Sequence, residues 1–342
     1  MKKIGILTGG GDCPGLNPVI RAVVRKAYLE GYETIGIKNG WKGLIDNDSE
    51  KLTLRKASGI LHKGGTILGT SRTNPYKIKG DVGKVVKNYK KLKLDALIVV
   101  GGEDTLGAAN KLSRKGLKIV GIPKTIDNDL YATDFTFGFY TAVNIATECI
   151  DRLHTTAESH HRIIVVEVMG RHAGWIATFA GIAGGADAIL IPEKPIDIDE
   201  VCDSIKKRHE RGKTFSIIVV AEGAKLKEGC LVVQEEKKDA FGHIRLGGIG
   251  ETLGELIEEK TGFETRVSVL GHIQRGGSPT AFDRILGTRF GIKAAELVKD
   301  KKFGKMVSFK ANKITQVPLA SAVKKLKTVD MQLYEIAKVF YG

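Results

Sequence analysis

The hydrophobic positions fall in short apolar runs separated by glycine-rich or charged turns. IGILT (4–8) leads into GGGDCPG and then a helix-like stretch from about Leu16 to Glu30. ETIGIK (33–38) follows, and DALIVVGG (95–102) runs into EDTLGAANKLSRKG, whose apolar spacing is helical. KIVGI (118–122) precedes GIPKTIDND, and a helix is predicted from about Tyr140 to Thr156. RIIVVEVMG (162–170), a small-residue helix over 173–183, ADAILIP (186–192), a polar helix over 198–211 and FSIIVVAEG (215–223) complete the series. These strand-like runs are apolar throughout instead of alternating, as in parallel strands covered on both faces. Strand, glycine turn, helix, strand is the signature of a doubly wound α/β sheet, whose ligands bind where the carboxyl ends of the strands meet the loops. The stretch between Glu222 and Arg266, with KLKEGCLVVQEEKKDAFGHIRLGG, breaks the pattern and reads as an insertion or excursion from the core.

Composition changes this picture little. With 342 residues the chain is long enough for two domains, and 42% hydrophobic with 27% charged residues is globular composition. Glycine is abundant (42) and proline scarce (8), which suits many tight strand-to-helix turns. No run of about 18 apolar residues suggests a membrane span. The start MKKIGILTGGGD reads as a first strand, not a signal peptide. Cys13, Cys149, Cys202 and Cys230 are scattered, without disulfide or zinc spacing, so a cytoplasmic protein is expected. The net charge of +15 raises nucleic acid as a partner. However, the basic stretches at 87–95, 205–213 and 324–327 are dispersed and lack interleaved aromatics. They read as solvated helix faces; small anionic substrates fit the charge better than a polymer.

Several loops can do chemistry. GGGDCPGLN (9–17), between strand and helix, can cradle phosphate, although its spacing fails the dinucleotide fingerprint at Pro14. GGTILGTSR (64–72) nearly fits the P-loop, but Thr70 stands where lysine is required; Arg72 remains a possible phosphate fork. Taken alone, either loop is as readily a plain tight turn. In GGEDT (101–105), Gly101 and Gly102 can approach an anion, while Glu103 and Asp104 can hold a divalent cation or simply favour a helix N-terminus. GIPKTIDND sets Lys124 before Asp127 and Asp129, mixing a phosphate-binding cation with acids suited to a metal or a proton. Arg162 and Arg171 flank one apolar strand; Glu222 ends another; Arg266, His272 and Arg275 follow in ETRVSVLGHIQRGG. Arginines converging on strand ends suggest a sugar phosphate. His160 and His161 are adjacent, so their side chains point apart and argue against a shared metal.

LTGGGDCPGLN, GGED, PKTIDND, ESHHR, VEVMGR, AEG, ETR and LGHIQRGGSP occur in the order found in the phosphofructokinase family, and the resemblance covers the chain from Ile4 to about residue 340. It implies two doubly wound, Rossmann-like α/β lobes of three-layer α/β/α build with an active site between them. The expected donor lobe is 1–139 plus about 275–322, and the fructose 6-phosphate lobe 140–274 plus about 323–342. By resemblance Asp127 is the base facing the sugar 1-hydroxyl, flanked by Thr125 and Asp129. Asp129 and Glu103 are the magnesium candidates, and Arg171 touches the moving phosphoryl group. Gly11, Arg72, Gly102, Asp104, Thr105 and Lys124 fall in the donor site. Arg162, Met169, Gly170, Arg171, Glu222, Arg266, His272 and Arg275, with Thr125 and Asp127, fall in the sugar-phosphate site. In the family Arg162 and Arg266 come from a neighbouring subunit, which implies a homo-oligomer, dimer or tetramer, with shared sites. ATP-using members usually carry glycine at the positions of Asp104 and Lys124, so this pair resembles the pyrophosphate-dependent branch. Glu103 stands where the family more often has aspartate. Arg21, Arg25, Arg211 and Lys213 resemble part of an effector site, whereas His154 and Asp187 depart from it, so weak or absent effector control is expected.

Overall fold

The structure is a computed structural model that describes residues 2–227, 247–339 and 341. The elements run β1 (Lys2–Thr8), α1 (Leu16–Leu29), β2 (Tyr32–Ile37), α2 (Trp41–Asp46), β3 (Ser49–Leu52), α3 (Asp81–Lys91), β4 (Ala96–Gly101), α4 (Glu103–Arg114), β5 (Ile119–Pro123) and α5 (Phe139–His160). They continue with β6 (Ile163–Val168), α6 (Trp175–Ala183), β7 (Ala188–Leu190), α7 (Ile198–Glu210), β8 (Ser216–Ala221), α8 (Ile249–Thr261) and β9 (Thr265–Val269). A 3-10 turn at Gly271–Arg275 precedes α9 (Ala281–Lys299), β10 (Lys305–Lys310), β11 (Lys313–Pro318) and α10 (Met331–Lys338).

The chain forms two compact units. The first runs to Ile126 and then takes Leu130–Thr141 and Arg275–Leu326; the second takes Asp127–Asp129, Ala142–Gln274 and the chain from Lys327 on.

In the first unit the sheet order is β11-β10-β5-β4-β1-β2-β3. β2, β1, β4, β5 and β10 are mutually parallel, while β3 and β11 close the two edges antiparallel. The chain winds one way from β1 to β2 and the other way from β4 to β5, so β1 and β4 flank the switch point. Leu7, Ile37, Leu97, Val99 and Ile119 pack one face against α2, α3 and α4. On α9, a Cβ at Gly291 would come within 2.7 Å of the Val19 carbonyl, so this glycine lets α9 lie close on α1.

The second unit holds a parallel sheet of order β7-β8-β6-β9. Ile163, Val165, Ile218 and Val220 face α7 and α8. The chain is part of the core again directly after the expected insertion. Residues 249–261 form a helix whose Ile249, Leu253 and Ile257 are buried in the core, a stripe masked in the sequence by intervening glutamates. Most of KLKEGCLVVQEEKKDAFGHIRLGG, with Cys230, lies outside the described residues. Residues 324–327 are also not helical; Lys325 lies over the Tyr131 ring and Lys327 over Trp175, each at 4.7 Å. No helix among the described residues is long and apolar enough to cross a membrane.

Candidate active site

In the first unit three chemically rich loops leave three adjacent parallel strands, β1, β4 and β5. Gly101 pairs in register with Pro123, so Gly102–Asp104 and Lys124 emerge side by side, and the Lys124 N–H donates to the Gly101 carbonyl at 3.0 Å. Gly9 N–H donates to the Val100 carbonyl, tying in the first loop. Lys124 is buried and its ammonium donates to the Gly11 carbonyl, so this cation lies inside the loop after β1. Thr105 is buried against two glycines: a Cβ on Gly9 would be 2.9 Å, and on Gly101 2.4 Å, from its side chain.

Gly102 is the N-cap of α4, with Glu103 and Asp104 exposed in the first turn. Carboxylates at this place favour the helix dipole. The segment 64–72 follows no strand but docks on the loop after β1. Gly10 N–H donates to the Ser71 carbonyl, Thr70 Oγ1 donates to the Gly10 carbonyl, and Asn17 Nδ2 donates to the carbonyls of Lys63 and Gly64. Arg72 itself is exposed. Arg275 belongs to this unit and donates to the Asp12 carbonyl at 3.1 Å. Burial pushes the Cys13 thiol up to about 12, with the positive charge of Lys124 opposing, so this thiol stays protonated.

Asp127, Asn128 and Asp129 pack with the second unit, where the Asp129 carbonyl accepts from Lys327 N–H. Asp127 is buried, and Asn128 adopts a left-handed φ of 51°. The loop after β6 is held from β8: Glu222 Oε1 accepts from the N–H groups of Gly170 (3.3 Å) and Arg171 (3.0 Å). Burial raises the Glu222 carboxyl, with the charge of Asp127 adding to it. Arg171 has a φ of 54°, a strained setting for a residue with a side chain, which the Glu222 bonds help to hold. Met169 and Gly170 are buried beside it, and His272 is exposed in the 3-10 turn after β9.

The sequence missed Gly223 as a site residue. A Cβ there would lie 1.7 Å from the Arg171 carbonyl, so only glycine permits the close passage that makes AEG necessary. The expected convergence of arginines also needs correction. Arg162 precedes β6 and Arg266 is near the start of β9, at the amino ends, whereas Arg171, Glu222 and His272 follow carboxyl ends. β6 has six residues, so Arg162 and Arg171 are separated by roughly 20 Å along the strand direction. Instead, Arg162 and Arg266 share one partner, Glu264. In the region resembling an effector site, Asp187 pairs with Arg208 at 3.0 Å and accepts from Ile217 N–H, and His154 Nε2 is 2.7 Å from the Gly184 carbonyl.

A phosphofructokinase family model matches residues 3–298. The chain belongs to the phosphofructokinase family. It is therefore a phosphotransferase. Among its relatives, a pyrophosphate–fructose 6-phosphate 1-phosphotransferase of Streptomyces coelicolor is 56% identical, over 99% of this chain and all of the relative. An ATP-dependent 6-phosphofructokinase 2 of Clostridium perfringens is 54% identical, over 96% of this chain and 94% of the relative. Phosphofructokinase from Saccharomyces cerevisiae superposes with a TM-score of 0.83 at 32% identity, covering 99% of this chain and 46% of that one.

Proposed function

We propose that this phosphofructokinase transfers a phosphoryl group from pyrophosphate to the 1-hydroxyl of fructose 6-phosphate. The observation that carries the donor assignment is that Asp104, in the first turn of α4, and Lys124, next after β5, follow the register-matched strands β4 and β5. Lys124 adds a positive charge at Gly11 in the loop after β1, where pyrophosphate, lacking adenosine contacts, needs it. Asp104 puts a carboxylate where the resemblance places ATP's α-phosphate. Gly11, Gly102 and Thr105 supply close backbone approach on the same loops, and Arg72 an exposed fork.

Phosphoryl transfer has a loose transition state, so positioning and charge do most of the work. Asp127 orients and deprotonates the sugar hydroxyl, Thr125 precedes it, and Arg171, fixed through Glu222, meets the transferred group. Met169, Gly170, Glu222, His272 and Arg275 shape the sugar site in this reading. Arg162 and Arg266 face away from the Arg171 end of their own sheet, which supports their serving a neighbouring copy in a homo-oligomer. Magnesium, when bound, would supply positive charge to the donor phosphates. Glu103 and Asp129 fit it as oxygen donors, since magnesium keeps water and phosphate ligands and needs few carboxylates. Pyrophosphate as donor implies a reaction near equilibrium, a reversible glycolytic step in the cytoplasm. The engaged Asp187 supports little effector control.

The ATP-dependent relative at 54% identity supports the second reading, an ATP-using or dual-donor enzyme. Initial rates with fructose 6-phosphate, magnesium and equal low concentrations of either donor separate the two. The proposal expects pyrophosphate to be much the faster; faster turnover with ATP sinks it.

A further inference from the structure

We propose that Glu264 is a positioning residue that sets the two guanidinium groups of Arg162 and Arg266 for the sugar phosphate. The inference rests on the reading above that these arginines take that phosphate. Glu264 immediately precedes β9, and its carbonyl accepts from Ile163 N–H at 3.0 Å, so its backbone is locked beside the start of β6. From that fixed point its two carboxylate oxygens divide between two arginines. Oε2 lies 2.8 Å from Arg162 Nε, and Oε1 accepts from Arg266 Nη2. Arg266 is braced a second time, with Nη1 donating to the Thr265 carbonyl at 2.9 Å.

The atoms used matter. Glu264 Oε2 approaches Arg162 at Nε, at ion-pair distance but without hydrogen-bond alignment, which leaves the paired Nη edge of the guanidinium as the face to offer a phosphate bidentately. One carboxylate between two guanidinium groups also offsets their repulsion, which would otherwise drive the long side chains apart. The Arg162 guanidinium in turn holds the Glu264 carboxyl below the usual range, so the bridging charge is present through neutral pH.

A competing acidic surface lies close by. Glu251, Glu255, Glu258 and Glu259 of α8 line a groove of about 610 Å³ together with Thr265, Arg266 and Val267. Glu258 is spent on Thr265 N–H, at 2.9 Å. Without Glu264, Arg266 can turn toward this wall and away from Arg162.

The three side chains are between 29% and 55% exposed, and exposed pairs contribute little to stability. The effect therefore belongs in binding. Glu264→Gln keeps the shape and one acceptor but removes the charge. It is expected to raise the KM for fructose 6-phosphate about five- to tenfold, leaving kcat, the KM for pyrophosphate and the Tm nearly unchanged. Glu264→Asp, which keeps the charge, should recover part of the loss. In a double-mutant cycle, Glu264→Gln should have a clearly smaller effect once Arg266 is alanine, because only the part acting through Arg162 then remains. An unchanged or lowered KM in Glu264→Gln, alongside a raised KM in Arg266→Ala, overturns the positioning role while leaving the arginines as phosphate ligands. Equal effects of Glu264→Gln with and without Arg266 overturn it too. An unchanged KM in Arg266→Ala removes both the proposal and the reading beneath it.

Discussion

Asp104→Gly is expected to admit ATP. Asp104 is exposed in the first turn of α4, one strand over from Lys124. If a nucleotide brings its α-phosphate within about 4 Å, the repulsion of two unit charges is roughly 1 kcal/mol in a water-like medium and 4 kcal/mol at an effective dielectric near 20. The open side chain argues for the lower figure, and the bound nucleotide, by excluding water, moves it toward the upper. A fall in the KM for ATP of about ten- to a hundredfold lies between them. The structural cost is small. Glu103 remains in the first turn to meet the helix dipole, and glycine at an exposed helical position costs about 0.5–1 kcal/mol. That shifts the Tm by only a few degrees. Steady-state rates with each donor at saturating fructose 6-phosphate measure the effect directly. An ATP kcat/KM within twofold of the parent, in a variant that still uses pyrophosphate, refutes the charge argument and leaves steric exclusion of adenosine as the cause.

Lys124→Gly should mainly damage pyrophosphate turnover, since it removes a buried cation from the loop after β1; unaltered pyrophosphate kinetics would contradict the assignment. Gly223→Ala forces a methyl to within 1.7 Å of the Arg171 carbonyl. It should cost about 3 kcal/mol or more in urea unfolding and depress activity with fructose 6-phosphate, whereas a stable, fully active variant would show that the loop relaxes freely. Asp283 is buried at the start of α9, accepting from Thr141 N–H and Oγ1, and burial holds its carboxyl up from 3.8 to about 6. The folded chain therefore binds this proton more tightly than the unfolded chain. The associated stability is complete below about pH 3.8 and lost as pH rises through about 6. Relative to Asp283→Asn, the parent should lose about 3 kcal/mol between those limits, and a difference independent of pH would be inconsistent with the shift.

The strands that the sequence revealed are those buried on both faces. β4, β6 and β8 are buried at every position and read as unbroken apolar runs. Those it hid lie at an edge or next to one. β9 has two exposed positions, Arg266 and Val269, and β10 and β11 form an antiparallel pair turning at Ala311 and Asn312, both with positive φ. The start of α9 carries a readable signal in Thr280-Ala281-Phe282-Asp283, where Thr280 accepts from Asp283 N–H as a cap. The site residues stood out because glycine, arginine and acids are conspicuous after apolar runs. Gly223 and Glu264 did not, because each acts on a neighbour distant in sequence, and only the fold brings Gly223 to Arg171 and Glu264 to Arg162.

Lys124 and Asp127 lie three residues apart, yet their surroundings differ in kind. Lys124 continues β5 by its backbone bond to Gly101 and extends its ammonium to Gly11, so its environment is the ends of β1, β4 and β5. Thr125 stays with it, its carbonyl accepting from Thr136 Oγ1 at 2.8 Å. After Ile126 the chain changes allegiance: Asp127–Asp129 pack with the second unit, and Asp127 adds to the burial that raises Glu222. The left-handed turn at Asn128 lies within this second part. One short loop thus holds a cation among backbone groups suited to phosphates and a buried carboxylate beside a second carboxylate. Two carboxylates so placed repel, and that repulsion adds to burial in raising the Glu222 carboxyl. Lys124 thus belongs to the first unit and Asp127 to the second, although only three positions separate them.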